Sequence, residues 1–587
     1  MIEWVSLSNI LLFHLFFISI LNIIVCKCSL LFAASMNSQL IDLTGYTLPN
    51  RNNLIHLYPD IPRKKSQVPF DIFDYGMLFK DEKTLEIIRK GETIGCFYIE
   101  SPGMRSLLKR LEVETFEMLV IASSIIRPGV AESGMMQEFI ARHKNPARRK
   151  YLVNEMELYL GETYGVMVFQ EDVIKVIHFI VGLSLEEGDL LRRAMSGKTR
   201  SNEAMELLRG RFFSSCERKG LNRETADELW RQISSFSGYS FCKAHSASFA
   251  LLSFQVAFLK AHYPAEFMAA VLSNGGGFYS SAVYIWECKR LGLDVKLPCV
   301  NHSDYDYTGK DRAIYIGFMA IKNFSHQSAE VIVEERDENG NYVSLADFLV
   351  RTKLGEEETT ILIKCGAMDC FRETRPTLLR LLSVYIHKRK ILDEGYNDLF
   401  IYESFKIEEE VKTSKDYSIS QKCKHEFEIL GYMVTKHPLY FFRKNISGRH
   451  IINANELDKY HGKRVKVVGW YMTSKRIRTR NGSIMKFLSL EDLTGTFEAV
   501  IFPNVYRNAA EKTLSFGPYL IEGKVDIEGG RNIIVEKLDL LYYLDLKSSV
   551  QKDSAEDYYT PDDEGFTEKE LYMSKINTEQ LVRAYTG

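Results

Sequence analysis

The sequence predicts a multidomain α+β protein that is mostly helical at first and then forms a small β-barrel. Its 587 residues exceed what one hydrophobic core organises, so about three to five domains are expected. Apolar residues at helical spacing dominate residues 161–272, whereas apolar and polar residues alternate between 462 and 540, where glycine turns separate short strands. Hydrophobic residues make up 45% and charged residues 26%, which is ordinary for soluble globular proteins.

Charge and cysteine usage narrow the classes of function. The net charge of −2 provides no overall basic field, so any binding of nucleic acid must come from local patches. The ten cysteines are scattered, and only Cys26 and Cys28 lie close together, without a CxxC pair or a His–Cys metal spacing. This usage predicts reduced thiols, and neither a zinc site nor a disulfide framework.

The first 35 residues allow three interpretations. Residues 4–34 form an apolar run long enough to span a bilayer, but Glu3 rather than basic residues flanks it, which fits a secretory signal poorly. The run is a membrane anchor, a translocated signal, or translated sequence upstream of a start near Met36. We favour the third interpretation, which predicts a cytoplasmic protein with no membrane partner. Residues 36–69 are polar and predicted to be irregular.

A buried helix with a polar start is predicted at 246–261. Its residues, SASFALLSFQVAFLKA, are apolar nearly all round, which is typical of a helix inside a large domain. Ser246 is the expected N-cap. Lys243 and His245 add charge and donors at an end where anions bind well, and Tyr239 adds a flat ring. We call this end the second mouth; an ordinary capped helix end is the alternative.

A first mouth lies earlier in the chain, at Arg192, Arg193 and Lys198. Two adjacent arginines on one helix cannot both face a core, so at least one of them meets solvent or an anion. Arginine forms bidentate contacts with phosphate, and lysine acts as a mobile point charge. The alternative is a solvated helix end whose cations complement the dipole.

The residues around both mouths form four longer motifs: TYGVMVFQEDV at 163–173, DLLRRAM at 189–195, YSFCKAHSASFALLSFQ at 239–255 and FLKAHYPAEFMAA at 258–270. These motifs resemble the fingers of the bacterial C-family replicative DNA polymerases, the polymerase III α subunits, including their short, error-prone type. The resemblance implies transfer of deoxynucleotides to a primer 3′-hydroxyl in bacterial DNA replication or repair. It implies as partners primer–template and single-stranded DNA, deoxynucleoside triphosphates, the sliding clamp and other replisome subunits.

The resemblance also implies roles for individual residues. Arg192, Arg193 and Lys243 would contact phosphate, and Tyr239 and His245 would line the nucleotide pocket. The stretch GCFYIESPGMR at 95–105 resembles the palm-to-fingers transition, so that Glu100, Ser101 and Arg105 would lie near the nucleotide. Arg127, in an arginine-proline-glycine signature, would contact DNA or phosphate. The whole implied nucleotide-binding set is Arg105, Arg127, Arg192, Arg193, Lys198, Tyr239, Lys243 and His245.

The catalytic carboxylates of the family are not found. Its palm uses a paired Asp-x-Asp motif and a later lone aspartate to hold two magnesium ions. Asp42 and Asp60 are the nearest lookalikes, and neither has the expected neighbours. We therefore expect the C-terminal two-thirds of a polymerase, without catalytic residues or a metal site of its own and inactive alone, and Mg²⁺ only in the intact enzyme. Alternatives are a non-catalytic DNA-binding accessory protein and, resting only on 4–34, a membrane-tethered protein.

Residues 276–375 resemble a tandem helix-hairpin-helix region. Such hairpins bind the duplex backbone through glycine turns whose N–H groups meet phosphates. Here Asn323-Phe324-Ser325 replaces the usual two-glycine turn, which we expect to weaken phosphate binding because a positive φ is costly for Phe and Ser. Lys322 remains as a candidate DNA contact, and the second hairpin keeps Gly366 and a second candidate, Lys364.

Two further regions carry expected contacts. In a charged helical connector at 376–450, Leu399 and Phe400 stand where the family carries its clamp-binding peptide, although Tyr396 replaces the usual glutamine. Residues 451–545 resemble an OB-type barrel, in which basic and aromatic side chains together predict single-strand binding; a solvated hairpin is the alternative. The expected barrel contacts are Lys475, Arg476, Arg478, Arg480, Trp470 and Phe487.

The predicted domains follow this order. They are 1–35, an apolar segment; 36–69, an irregular segment; 70–275, the palm-to-fingers transition and fingers; 276–375, the tandem helix-hairpin-helix region; 376–450, the connector; 451–545, the barrel; and 546–587, an acidic tail.

Overall fold

The computed structural model describes residues 72–127, 134–195, 202–234, 242–392, 413–479, 481–527 and 530–541. Within these ranges no helix is long and apolar enough to cross a membrane. The apolar run at 4–34 lies outside them.

Helices build the first region and surround one large apolar core. Asp81, Ser101 and Thr115 each cap the helix that follows by accepting a hydrogen bond from a backbone N–H in its first turn. The helices are α1 (Tyr75–Leu78), α2 (Glu82–Arg89), α3 (Pro102–Leu111), α4 (Phe116–Ile125), α5 (Met135–Lys144), α6 (Met156–Leu160), α7 (Gln170–Lys175), α8 (Leu185–Met195), α9 (Asn202–Arg218), α10 (Arg223–Ser234), α11 (Lys243–His262), α12 (Pro264–Ser273) and α13 (Ser281–Arg290). A π-helical turn, Val176–Val181, continues α7.

The predicted buried helix is α11, and its start corrects one expectation. It begins at Lys243 with Cys242 at the N-cap position, so the prediction of Ser246 as N-cap is wrong. Ser246 is fully buried inside the helix, where its hydroxyl lies 2.8 Å from that of Ser124. Pro264 then occupies the first position of α12, where its missing N–H costs nothing.

A three-stranded sheet and four helices follow. Strands β1 (Asp294–Lys296), β2 (Thr308–Lys310) and β3 (Ala313–Tyr315) pair in the order β1-β3-β2, with β1 parallel and β2 antiparallel to β3. The helices are α14 (His326–Asn339), α15 (Leu345–Thr352), α16 (Glu356–Cys365) and α17 (Arg375–Leu392), and α18 (Ile419–Leu430) and α19 (Arg443–Ile446) come after them.

The hairpin turn before α14 uses asparagine at its left-handed position. Asn323 is the residue with a positive φ, +59°, and asparagine tolerates this left-handed region better than most residues. Ser325 has a φ of −78° and caps α14 by accepting from the N–H of Ser328. Phe324 and Ser325 therefore avoid a positive φ, because the turn places its left-handed residue at Asn323, and the weakening of phosphate binding stays a prediction.

A closed five-stranded barrel forms the last described region. Its strands are β4 (Arg464–Arg478), β5 (Ile484–Glu491), β6 (Thr496–Ile501), β7 (Tyr519–Asp526) and β8 (Asn532–Leu540), and α20 (Pro503–Ala509) lies between β6 and β7. The strand order is β4-β5-β6-β8-β7, and β7 returns to β4. This closure is typical of an OB-type barrel, so the predicted fold class is confirmed.

The barrel packs directly on the helical body. Arg290, at the end of α13, donates from Nη1 to Glu491 of β5 at 2.7 Å, and Arg105 of α3 donates to the hydroxyl of Thr496 at 3.1 Å. Met472 of β4 belongs to the large apolar core rather than to the barrel's own. One outer face of the barrel is thus fixed against α3 and α13.

Candidate nucleotide and DNA interface

The two basic mouths meet at the start of α7. Arg192 donates from Nη1 to the side-chain oxygen of Gln170 at 3.1 Å. The backbone N–H of Lys243 donates to both carboxylate oxygens of Glu171, at 2.9 and 3.0 Å. Since Gln170 and Glu171 are neighbours, segments about fifty residues apart in sequence come together on one short helix.

An aspartate holds the two arginines of the first mouth. Arg192 donates from Nε and Nη2 to one oxygen of Asp189, at 2.9 and 2.7 Å, and Arg193 reaches the other oxygen at 2.7 Å. The hydrogen bonds and charges of the two guanidinium groups hold the pKa of Asp189 below its usual value. The side chain of Arg193 is 63% exposed and that of Arg192 25%, so Arg193 is the more accessible to a ligand.

A glutamate holds the lysine of the second mouth in the same way. Lys243 Nζ lies 2.6 Å from Glu162 Oε1 and 5.4 Å from the ring centre of Phe169. Both charged side chains are nearly half exposed. Carboxylates therefore already pair with the cations that an anionic ligand would contact. Such a ligand must compete with these carboxylates.

Aromatic rings adjoin the second mouth. The Phe249 ring centre lies 4.4 Å from that of His245 and 4.9 Å from that of Tyr98. Arg127 donates to the Tyr98 hydroxyl and, at 3.2 Å, to the carbonyl of Ser123. Burial lowers the pKa of the Arg127 guanidinium. The structure thus brings Arg127 and His245 to the same ring cluster.

The predicted contacts at the palm-to-fingers turn hold the protein's own structure. The buried carboxylate of Glu100 accepts from the N–H groups of Gly95 at 2.9 Å and Phe278 at 2.7 Å, and burial raises its pKa. Ser101 caps α3. Arg105 lies between the carbonyl of Gly91 and the barrel, which places it in the contact between α3 and β6. A nucleotide contact by these residues stays a prediction.

The two hairpin lysines lie in different surroundings. Lys322 Nζ donates to the carbonyl of Glu428 at 3.3 Å, at the end of α18. Lys364 is half-buried in the last turn of α16. The turn after it, at Gly366, is filled by the guanidinium of Arg375, which donates to the Lys364 carbonyl at 2.9 Å. This second glycine turn therefore packs against an arginine of its own chain.

The basic side chains of β4 point to both faces of the barrel wall. Lys475 pairs in register with Phe487, and Arg476 pairs with Lys486, so consecutive residues alternate between faces. Lys475, Arg476 and Arg478 are exposed. None of these three forms an ion pair with another residue in the described ranges.

Trp470 is packed rather than presented to a ligand. It contacts the small apolar cluster of Leu439, Val468 and Leu541, and its ring centre lies 6.5 Å from that of Phe442. Its predicted role as a stacking platform requires that this cluster open. Phe487 is half-buried beside Lys475 and is the better placed of the two rings.

Other predicted contacts lie outside the described residues: Lys198, Tyr239, Leu399, Phe400 and Arg480. Sequence reasoning missed the side chains that organise the interface, which are Tyr98, Glu162, Gln170, Glu171 and Asp189. The first of these was visible only as an aromatic residue in a turn. The other four lie inside the quoted motifs or one residue before them, and pairing between motifs is not readable from either motif alone.

Comparisons with known proteins agree with this architecture. Residues 55–220 match the bacterial DNA polymerase III alpha subunit finger domain, and residues 292–378 match a helix-hairpin-helix motif. The chain is 30% identical over 497 residues to DNA polymerase III subunit alpha of Staphylococcus aureus strain MRSA252, covering 83% of this chain and 45% of that protein. For the subunit of Bacillus subtilis strain 168, identity is 30% over 503 residues, with 84% and 44% covered.

The fold and the matches define the class as a polymerase finger region followed by a helix-hairpin-helix module and an OB-type barrel. The predicted resemblance is confirmed: the chain is similar to the bacterial DNA polymerase III α subunits and matches a C-terminal portion of them. It spans less than half the length of the curated relatives that it matches.

Proposed function

We propose that this chain is a component of a template-directed DNA polymerase of bacterial replication or repair, which transfers deoxynucleotides to a primer 3′-hydroxyl. In this proposal the chain supplies the fingers that bind the incoming nucleotide and the domains that bind DNA. The observation that supports it best is that Arg192 and the backbone of Lys243 meet at the start of α7, with Arg193 sharing the Asp189 carboxylate with Arg192. Similarity to α subunits over most of the chain supports it independently.

The three cations would bind the triphosphate by exchanging partners. Asp189 and Glu162 now accept from them at 2.6–2.9 Å, which is the distance of a charge-assisted hydrogen bond to a phosphate oxygen. Phosphoryl transfer depends mostly on positioning and on stabilisation of charge. Positively charged donors in a fixed arrangement provide both.

The rings beside Lys243 would position the nucleoside. Phe249 contacts both His245 and Tyr98, and a base has a flat face that stacks on such rings. Arg127, hydrogen-bonded to Tyr98, would orient that ring or contact a phosphate. Tyr239 and Lys198 complete the proposed nucleotide set.

Magnesium belongs to this proposal only through the intact enzyme. The described residues contain no group of three or more His, Cys, Asp or Glu side chains that could hold a metal ion. They therefore do not fit the two-metal site of a polymerase, and no step of the transfer is assigned to them. A non-catalytic DNA-binding accessory protein is the second candidate, which this same observation favours.

The proposed macromolecular partners follow the domains. Primer–template would contact the helix-hairpin-helix module through Lys322 and Lys364. Single-stranded template would contact the barrel through Lys475, Arg476, Arg478, Arg480 and Phe487, and the packed Trp470 would add a ring if its cluster opens. Leu399 and Phe400 would contact a sliding clamp. The proposed location is the cytoplasm, with other replisome subunits.

A binding titration of the full chain with deoxynucleoside triphosphate tests the nucleotide site. Arg193→Ala and Lys243→Ala should each weaken binding about 10- to 100-fold, because a hydrogen bond to a charged group contributes about 1.5–3 kcal/mol. Arg223→Ala, an exposed arginine of α10 paired with Asp227, is the matched control. Equal affinity of all three variants and the unmodified chain would refute the nucleotide role.

Primer extension in the same samples separates the two candidates. Nucleotide binding without extension is expected if a palm acts together with this chain, whereas DNA binding without nucleotide binding favours the accessory protein. Extension by the chain alone would contradict the expectation that it is inactive by itself.

A further inference from the structure

A strongly basic segment lies at the end of α5 and does not belong to either mouth. Residues 144–150 read KNPARRK, and four of these seven side chains are basic. We call Lys144, Arg148, Arg149 and Lys150 the basic strip; all four are exposed. Because the whole chain carries a net charge of −2, such a concentration of positive charge is a local feature that requires its own explanation.

The basic strip is poorly neutralised by the chain itself. Its closest carboxylate among the described residues is that of Glu138, 3.9 Å from Arg148. Surface arginines of α10 differ, since Arg231 lies 2.6 Å from Glu228 and Arg223 lies 3.1 Å from Asp227. The strip therefore presents charge that an external anion can neutralise.

The backbone of the strip is held in place. Asn145 accepts from the N–H of Ala147 at 3.0 Å and so caps the short 3-10 turn. Arg149 donates to the carbonyl of Arg142 at 3.2 Å and lies 4.1 Å above the ring of Tyr164. A fixed arrangement of cations loses less conformational entropy on binding than a mobile one.

The strip adjoins the proposed nucleotide site. Arg142 donates to the carbonyl of Tyr164 at 2.7 Å, and Tyr164 follows Glu162, the partner of Lys243, by two residues. Two residues span at most about 7 Å. A polyanion lying along the strip would thus pass close to the second mouth.

We propose that the basic strip binds the phosphate backbone of duplex DNA beside the second mouth. This inference rests on the proposed function. Duplex DNA fits better than a single strand, because single-strand sites combine cations with stacking rings. The ring of Tyr164 is covered by Arg149 on one side and packs on Phe139, with ring centres 5.2 Å apart, and the ring of Tyr151, which follows the strip, packs against the large apolar core. Arginine and lysine without a free ring are suited to backbone contacts.

The test measures binding of the full chain to a short blunt DNA duplex over a salt series. The variant Arg148→Gln/Lys150→Gln leaves Arg149 on Tyr164 and removes two of the four charges. Each phosphate contact contributes about 0.9 to the slope of log K against log salt, so the slope should become shallower by about 1.8. Arg223→Gln/Arg231→Gln removes the same charge from paired positions and should leave the slope unchanged.

The outcomes separate this inference from the proposed function. If the unmodified chain binds duplex and the strip variant keeps its slope and affinity, the strip proposal is overturned and the polymerase proposal stands. If the unmodified chain binds no DNA, both are overturned. A loss of affinity confined to a single-stranded probe overturns the duplex assignment. Affinity for deoxynucleoside triphosphate should remain unchanged in the strip variant, and its loss would mean that the segment acts through the mouth.

Discussion

Replacing Lys260 with methionine should destabilise the finger region by about 4 kcal/mol. The side chain of Lys260 in α11 is fully buried, and its ammonium donates to the carbonyls of Glu92 at 2.7 Å and Ile94 at 2.8 Å and to the carboxylate of Glu287 at 2.7 Å. Methionine keeps most of the volume and removes all three bonds.

The magnitude follows from what the substitution leaves behind. Breaking a buried ion pair costs about 3–5 kcal/mol, because one charge stays buried without its partner. Glu287 keeps Arg290, 3.1 Å away, which places the loss at the lower end of that range. Two orphaned carbonyls add about 1 kcal/mol or more. Burial acts to raise the pKa of Glu287, but the charges of Lys260 and Arg290 outweigh it and hold that pKa at about 2, so the carboxylate remains ionised in the unmodified protein.

Hydrogen exchange of the α11 amides is the suitable assay, because a multidomain chain does not unfold in a single two-state transition. A loss of 4 kcal/mol corresponds to about a thousandfold faster exchange. Lys90→Met, which removes an exposed lysine paired with Glu86 four residues earlier, is the matched control and should leave α11 unchanged. The double variant Lys260→Met/Glu287→Gln should exchange more slowly than Lys260→Met, because it also removes the buried carboxylate charge that Lys260→Met leaves with Arg290 but without Lys260. The reasoning would be refuted if the α11 amides of Lys260→Met exchanged as slowly as those of the Lys90→Met control. It would also be refuted if the free-energy losses of Lys260→Met and Glu287→Gln simply added in the double variant.

Three further predictions concern the mouth, the connector and the barrel. Glu162→Gln should tighten binding of deoxynucleoside triphosphate severalfold, because it frees Lys243 from a competing carboxylate; weaker binding would mean that Glu162 orients the lysine instead. Burial and the nearby charges of Lys364 and Arg375 lower the pKa of His425 to about 4. Between pH 6.5 and 4 the unfolded chain therefore binds more protons than the folded chain. The free energy of unfolding should fall by about 1–2 kcal/mol as the pH is lowered through that window. His425→Gln should flatten this dependence in amide exchange of α18, and an unchanged pH profile would contradict the assignment. Lys475→Gln should weaken single-strand binding and reduce its salt slope by about 0.7, whereas equal slopes would exclude a phosphate contact there.

The sequence predicts the elements in which one pattern of apolar residues continues from end to end. The helix α11 is recognised because SASFALLSFQVAFLKA is apolar on every face, and the barrel strands are recognised because their residues alternate between core and surface. The start of α11 is not recognised, since the serine that looks like a cap is three residues inside the helix, where it bonds to Ser124. A small polar residue near a helix end has two uses, and only the packing partner distinguishes them.

The sequence predicted the two mouths of the candidate site separately and did not predict that they meet. Arg192, Arg193 and Lys243 were identified from charge inside apolar sequence, and the structure shows that Arg192 and Lys243 share the start of α7. The contact depends on Gln170 and Glu171, whose partners lie about 20 and 70 residues further along the sequence. A local sequence pattern does not predict which distant residues pair. Trp470 shows the opposite case: a ring in a basic hairpin has the composition of a stacking platform, but the ring of Trp470 packs against Leu439 and Leu541.

A series of buried ion pairs connects the helix of the second mouth to the barrel. Lys260 lies on the same helix as Lys243 and pairs with Glu287; Glu287 also pairs with Arg290, and Arg290 reaches Glu491 on the barrel at 2.7 Å. Each ion of this series has an oppositely charged neighbour, and removing any inner member leaves a buried charge without one, at a cost of several kcal/mol. The arrangement therefore favours one relative position of α11, α13 and β5 over a sliding contact between apolar faces. Because the end of α11 at Lys243 is part of the same rigid helix, a strand bound on the barrel would keep a fixed distance from the proposed nucleotide site.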